Sequence, residues 1–192
     1  MEQGTSLGAR MRDYQPGSGD EARDVERLRG LPAGEAAWNR RSALHATGSA
    51  VVLHPPSGRV LLRWHQRMNG WLHVGGHADP GETDPLAVAL REAQEETGLA
   101  DLTPWPDPLR PRIVHVAVVP VPAGKGEPAH EHADIRYLLA TSHPERARPE
   151  SAKAMLRWLP VAEAILLVGE DNLSVCLTRI RQLITGDTRG AH

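Results

Sequence analysis

The stretch Trp71–Leu99, WLHVGGHADPGETDPLAVALREAQEETGL, constrains the fold most, because it specifies a strand, a glycine-bearing loop and a helix with both ends marked. Asp84-Pro85 is a start signal: the Asp side chain can cap free backbone amides, and proline suits the first helical position. Gly98 followed by Leu99 is a stop signal of the left-handed-glycine kind. Between them Leu86, Ala89, Leu90, Ala93 and Thr97 recur at helical spacing as one buried stripe. Glu92, Glu95 and Glu96 are three and four residues apart, so their carboxylates share a face and repel one another. Arg91, four residues before Glu95, offsets one of them. Hard dications such as Mg²⁺ take oxygen ligands and bridge carboxylates to phosphates, whereas a solvated acidic helix face needs no ion at all.

The loop in front decides between these. Gly75-Gly76 ends the strand, Asp79-Pro80-Gly81 is a turn, and the whole reads G-x5-E-x8-R-E-x-x-E-E-x-G from Gly76 to Gly98. This resembles the signature of the Nudix hydrolases, G-x5-E-x7-R-E-U-x-E-E-x-G-U with U a bulky apolar residue. Two departures stand out. Eight residues separate Glu82 from Arg91, and restoring seven would put His77 and Thr83 where Gly and Glu belong, so an insertion before the helix is the better account. Ala93 is small where the family prefers bulk.

The resemblance implies an α/β fold, a Nudix-type α/β/α sandwich around a mixed β-sheet, and metal-dependent hydrolysis of a diphosphate linkage in a nucleoside diphosphate joined to another group. It assigns Gly76 (through its carbonyl), Glu92, Glu95 and Glu96 to a Mg²⁺ or Mn²⁺ site. Catalytic roles fall to Glu95, Glu96, Arg91 and Glu82, with Glu95 or Glu96 the nearest proton acceptor. Some members recruit a downstream acidic residue, and Glu131 is available. Two rivals stay open. Isopentenyl diphosphate isomerases share the fold but use a Cys-Gly-His segment where this chain has Gly75-Gly76-His77; other Nudix folds are non-catalytic nucleotide-binding or regulatory proteins.

At 192 residues the chain is long enough for one well-buried domain with a remainder. Its 22 basic and 24 acidic residues nearly balance, which makes no electrostatic case for nucleic acid or an anionic membrane as partner. Cys176 is the only cysteine, excluding an intramolecular disulfide and a cysteine-built zinc site. With no apolar signal core or long apolar run, the expectation is a soluble cytoplasmic protein; the resemblance adds a small nucleotide-type substrate and a homodimer as expectations.

Taken in order, residues 1–19 read as a flexible tail and 20–40 as an N-terminal helix (Asp20–Arg29) with a linker. Residues 41–186 read as the Nudix domain and 187–192 as a flexible tail. Thr47–Leu53 and Arg59–Trp64 flank the turn Pro55-Pro56-Ser57-Gly58 as a hairpin. Gln66–Gly70 is a predicted loop and Trp71–Gly75 a strand. Leu102–Pro111, with four prolines, is irregular; Ile113–Val121 is a strand apolar on both faces; Pro122–Pro128 is a loop. Met155–Leu159 is a further strand and Val161–Leu167 a helix. Asp171–Thr185 is a helix carrying Cys176 on its apolar stripe, where a buried role suits it better than a nucleophilic one.

His130–Thr141 alternates, with Ala133, Ile135, Tyr137 and Leu139 on one face and His130, His132, Asp134 and Arg136 on the other. Seven of the ten histidines, His45, His65, His73, His77, His115, His130 and His132, fall in or beside strands and the signature loop. Singly, each suits a local hydrogen bond; as a group they could line a cleft. The candidate substrate-binding set is His77, His130, His132, Asp134 and Arg136, the last suited to phosphate or carboxylate. Trp64, Trp71, Trp105 and Tyr137 could stack on a base, although core packing is the commoner use and is preferred for Trp64 and Trp158.

Overall fold

The structure, a computed structural model, describes residues 7–124 and 126–187. Eight strands form one mixed sheet: β1 (Leu44–His54), β2 (Arg59–His65), β3 (Gly70–Leu72), β4 (Val74–Gly76), β5 (Thr103–Pro104), β6 (Ile113–Val121), β7 (His130–Ala140) and β8 (Leu156–Pro160). The hairpin expected around Pro55–Ser57 is β1–β2, with Leu53 opposite Val60. The expected strand at Trp71–Gly75 is two short ones: β3 pairs with β2, while β4 turns to pair with β1. The proline-rich segment after Leu102 is not wholly irregular, since Thr103–Pro104 adds a short strand to β7.

The central pair is β1 and β7, which run parallel from Leu44 beside Glu131 to Leu53 beside Ala140. Alternation then decides which side chains meet. On one face Ala46, Ala50, Ile135 and Tyr137 pack with Val25 and Leu28 of α2 (Gly19–Arg29) and Val88 and Ala89 of α3 (Pro85–Thr97). On the other, Val51, Leu53 and Leu138 meet α4 (Val161–Leu167) and the apolar stripe of α5 (Asp171–Asp187). Leu173, Leu177 and Ile180 of that stripe are fully buried, each worth roughly 1.5–3 kcal/mol. The result is the α/β/α sandwich. Cys176 lies on the same stripe, and burial pushes its thiol up to about 11, as an inert core residue requires.

Of the two tails expected at 1–19 and 187–192, residues 1–6 and 188–192 lie outside the described residues. From Leu7 onward the first segment is not a tail. Leu7–Met11 is a short helix, α1, whose Met11 is buried in the core, and Arg10 pairs with Asp84 at 3.0 Å. Among the described residues no helix is long and apolar enough to cross a membrane.

Candidate active site

α3 begins and ends where its sequence marks it. The Asp84 carboxylate accepts from the Leu86 amide at 3.1 Å, and Gly98 closes the helix in the left-handed region at φ 68°. Beside it runs β4, with Gly75 opposite Ser49 and Gly76 opposite Gly48 of β1. Gly75 has φ 146°, and a Cβ there would sit 2.5 Å from Ser49 Cα; a Cβ on Gly76 would sit 2.7 Å from the Glu92 carboxyl carbon. Only glycines let this strand lie against the acidic face of the helix.

The approach brings two carboxylates inward. Glu96 is only 8% exposed; its Oε2 accepts from the Gly75 amide at 3.1 Å and its Oε1 lies 3.3 Å from Arg63. Burial pushes its carboxyl up to about 7, although the Arg63 guanidinium and the Gly75 amide pull the other way. Burial also raises Glu92, against the pull of Arg91. Glu95 points elsewhere: it is more than half exposed and meets Arg91 at 3.2 Å.

Arg91 holds the loop and the helix together. Its Nη2 donates to Glu82 at 2.9 Å and to the His77 carbonyl at 2.7 Å, and its Nη1 to Glu92 at 3.1 Å. Partial burial pushes Glu82 up, but Arg91 and the Asp79 amide outweigh it and keep the carboxyl below its ordinary range. With the extra residue between Glu82 and Arg91, Glu82 is still in contact with its arginine.

The polar face of β7 meets the polar residues of β1. Asp134 accepts from Thr47 (2.9 Å), Ser49 (2.6 Å) and Arg136 Nε (2.8 Å), and lies 3.0 Å from His73 Nε2. Burial opposes its charge, yet the Arg136 guanidinium and these hydrogen bonds hold it far below the usual carboxylate range. Arg136 is itself fully buried, with Nη1 3.4 Å from His115; burial and that guanidinium push His115 down to about 4. Sequence reasoning saw Asp134 and Arg136 on one face but missed Thr47 and Ser49. Their alternation with His45 along β1 was the available signal.

Farther along the same face four imidazoles gather. The parallel register sets His45 beside His132, His130 follows two residues away on β7, and His77 leaves the end of β4. His132 Nε2 is 3.1 Å from both His77 Nε2 and His130 Nε2, and the His45 ring centre is 4.9 Å from that of His132. Burial lowers His45 and takes His77 to about 3 and His132 to about 4, helped by the neighbouring imidazoles and by Arg40.

These groups open on one cleft of about 560 Å³. Gly76, Glu92 and Glu96 line it, as do His77, His130 and His132, with Asp134 and Arg136 at its floor. Glu82, Arg91 and Glu95 stand behind its wall. Glu131 faces away and pairs with Arg27 of α2; the downstream acidic residues on the cleft are Glu127, Asp134, Glu170 and Glu150, the last in contact with Arg63. Of the aromatics, Trp64 is on the wall, packed edge-on against Trp71 with ring centres 5.5 Å apart; Trp71 and Trp105 pack against the core on the α4/α5 face of the sheet, and Tyr137 is inside the core on the opposite face. Arg63, Glu150 and Lys153 of the cleft were not singled out from sequence, because none belongs to a local pattern.

The NUDIX domain family matches residues 44–175, more than half of the chain. No curated protein matches. Among solved structures, a C. elegans Ap4A hydrolase binary complex is 20% identical and covers 73% of this chain and 98% of its own, at TM-score 0.58. A NUDIX family hydrolase from Clostridium perfringens is 24% identical (72% and 97% covered, TM-score 0.56). The E. coli dihydroneopterin triphosphate pyrophosphohydrolase is 16% identical (76% and 97%, TM-score 0.53). At these identities the likeness is one of fold.

Proposed function

Because the chain belongs to the Nudix family, we propose that it is a divalent-metal-dependent pyrophosphohydrolase that cleaves the diphosphate linkage of a nucleoside tri- or polyphosphate, or of a nucleoside diphosphate joined to another group. The observation that carries this reading is the convergence of Glu92, Glu96 and the Gly76 backbone on one cleft. One buried and one part-buried carboxylate, both raised by burial despite neighbouring arginines, form an oxygen donor set suited to a hard dication. Glu92, Glu96 and the Gly76 carbonyl would hold Mg²⁺ or Mn²⁺. When bound, the metal neutralises diphosphate oxygens and makes water a better nucleophile at neutral pH.

The chain's own residues supply the rest. Glu96 Oε1, free of the Gly75 hydrogen bond, is the group we assign to take the water's proton; Glu95 faces away. Arg91 orients Glu92 and, through the His77 carbonyl, the segment that follows Gly76. Lys153, exposed on the cleft, supplies positive charge for phosphate oxygens, and Trp64 an aromatic face for the base. The isomerase alternative is disfavoured at Gly75: the side chain of a cysteine there would collide with Ser49, and φ 146° suits glycine. A purely regulatory reading leaves the paired cleft carboxylates without a use.

The test is a panel of nucleoside triphosphates, dihydroneopterin triphosphate, dinucleoside polyphosphates, NDP-sugars and ADP-ribose with Mg²⁺ and Mn²⁺, with products read by mass spectrometry. The names of the similar structures put Ap4A and dihydroneopterin triphosphate first on it. Release of a nucleotide product only with metal supports the reading, and no cleavage of any member overturns it.

A further inference from the structure

We infer that His45, His77, His130 and His132 form a second metal site, a closed four-imidazole cage for a borderline transition-metal dication of the zinc class, separate from the carboxylate site on the helix. The inference goes beyond the hydrolase reading and does not rest on it.

The geometry comes first. One nitrogen from each imidazole lies within 4.8 Å of all the others, and two of the separations are 3.1 Å. Four nitrogens about 2.0–2.1 Å from a tetrahedral zinc would stand about 3.3 Å apart, so the two 3.1 Å separations already fit and the wider ones would draw in around the ion.

The tautomers point the same way. His45 Nδ1 is 3.0 Å from the Ser42 carbonyl and His130 Nδ1 is 2.9 Å from the Pro128 carbonyl. A carbonyl only accepts, so each Nδ1 carries the hydrogen and, in the neutral ring, each Nε2 is left as a bare lone pair aimed into the cluster. This backbone anchoring of the distal nitrogen is how metal-binding histidines are commonly oriented. His45 is fully buried, and its Nε2 has no hydrogen-bond partner among the described residues. His132 Nε2 faces two imidazoles and carries at most one hydrogen. One or two shared hydrogens cannot satisfy four converging nitrogens, whereas one dication satisfies them all. Arg40 nearby is offset by Glu127, 3.8 Å away.

Four protein ligands fill a tetrahedral shell, which makes the site structural. It would staple β1 to β7 and to the residue after Gly76. The His77 carbonyl is the one held by Arg91, so the staple would also steady the loop that carries Glu82.

The experiment uses the full chain, stripped with chelator and titrated with CoCl₂, then with ZnCl₂. We expect the intense visible bands of tetrahedral cobalt at one equivalent, erased by zinc and untouched by excess Mg²⁺. His77→Ala and His130→Ala should each weaken cobalt binding at least tenfold, with circular dichroism confirming their fold. The Glu92→Gln/Glu96→Gln double variant should keep the bands, which separates this site from the carboxylates whatever the nucleotide assay shows. Absence of tetrahedral bands in the wild-type protein overturns the inference. So do unchanged titrations in both histidine variants, or loss of the bands in the glutamate variant alone.

Discussion

The Gly75 amide donates to Glu96 Oε2 at 3.1 Å, so the strand entering the glycine loop fixes the carboxylate on the last turn of α3. That bond engages one oxygen and leaves Oε1 toward the cleft and Arg63. Replacing Glu96 by Gln keeps the shape and an acceptor for the amide but removes the basic oxygen. Glu96→Gln should lower kcat by roughly 10²–10⁴-fold, the usual contribution of general-base catalysis. Thermal unfolding should stay within a few degrees of wild type. Steady-state kinetics beside a melting curve checks both, and a variant with wild-type kcat removes Glu96 from the mechanism.

Arg91 touches Glu82, Glu92, Glu95 and the His77 carbonyl at once, and a lysine cannot reproduce that planar fork. Arg91→Lys should therefore weaken the metal site indirectly. The rate should need about 10- to 100-fold more Mg²⁺ to saturate, the range typical when a group supporting a metal ligand is lost. The readout is rate against Mg²⁺ concentration at saturating nucleotide. A change in nucleotide KM with an unaltered metal requirement would assign Arg91 to the substrate instead.

Far from the cleft, Glu21 of α2 joins three elements. It accepts from the Gly17 and Val116 amides and meets Tyr14 and Arg179 of α5, and it is 3% exposed. Burial works against its charge, but Arg179 and these hydrogen bonds prevail and take its carboxyl from 4.5 to about 2. A depressed folded value means that the stabilisation is complete above 4.5 and is lost as pH falls toward about 2. Glu21→Gln should cost roughly 3 kcal/mol at pH 7 in urea unfolding, with the gap to wild type closing between pH 4.5 and 2. A gap independent of pH would mean that packing, and not charge, carries the effect.

Local pattern made the centre of this chain legible. The caps of α3, the two faces of β7 and the glycine–glutamate spacing all arise within a few residues of one another, where helical or strand period dictates the outcome. What was not legible depends on partners distant in sequence. The pairing of His45 with His132 follows from the parallel register of β1 and β7, which no window of sequence contains. Glu96 was expected on the face opposite the apolar stripe and is on the acidic one, yet it is buried because β4 covers it. Leu7–Met11 lacked enough residues to show a period, and its order comes from the core beneath Met11 and from the Arg10–Asp84 pair. Glu131 is available in sequence as a downstream acidic residue; strand alternation sends it to the other face and to Arg27.

Trp64 was given to the core from sequence, yet it is the aromatic that reaches the cleft wall, supported edge-on by Trp71. An aromatic held rigidly from behind offers its exposed face to a base at little entropic cost, and such stacking is worth about 1–3 kcal/mol. Trp64→Ala should therefore raise KM for a nucleotide substrate about 10-fold while kcat changes less than about 3-fold, since the base is remote from the phosphorus attacked. Trp71→Ala provides the contrast. Its ring packs against the second core, so its loss should lower the melting temperature and loosen Trp64 along with it. Inorganic tripolyphosphate separates the two effects: having no base, it should be cleaved equally by wild type and Trp64→Ala. If Trp64→Ala instead binds nucleotide as well as wild type, the base does not lie on this wall.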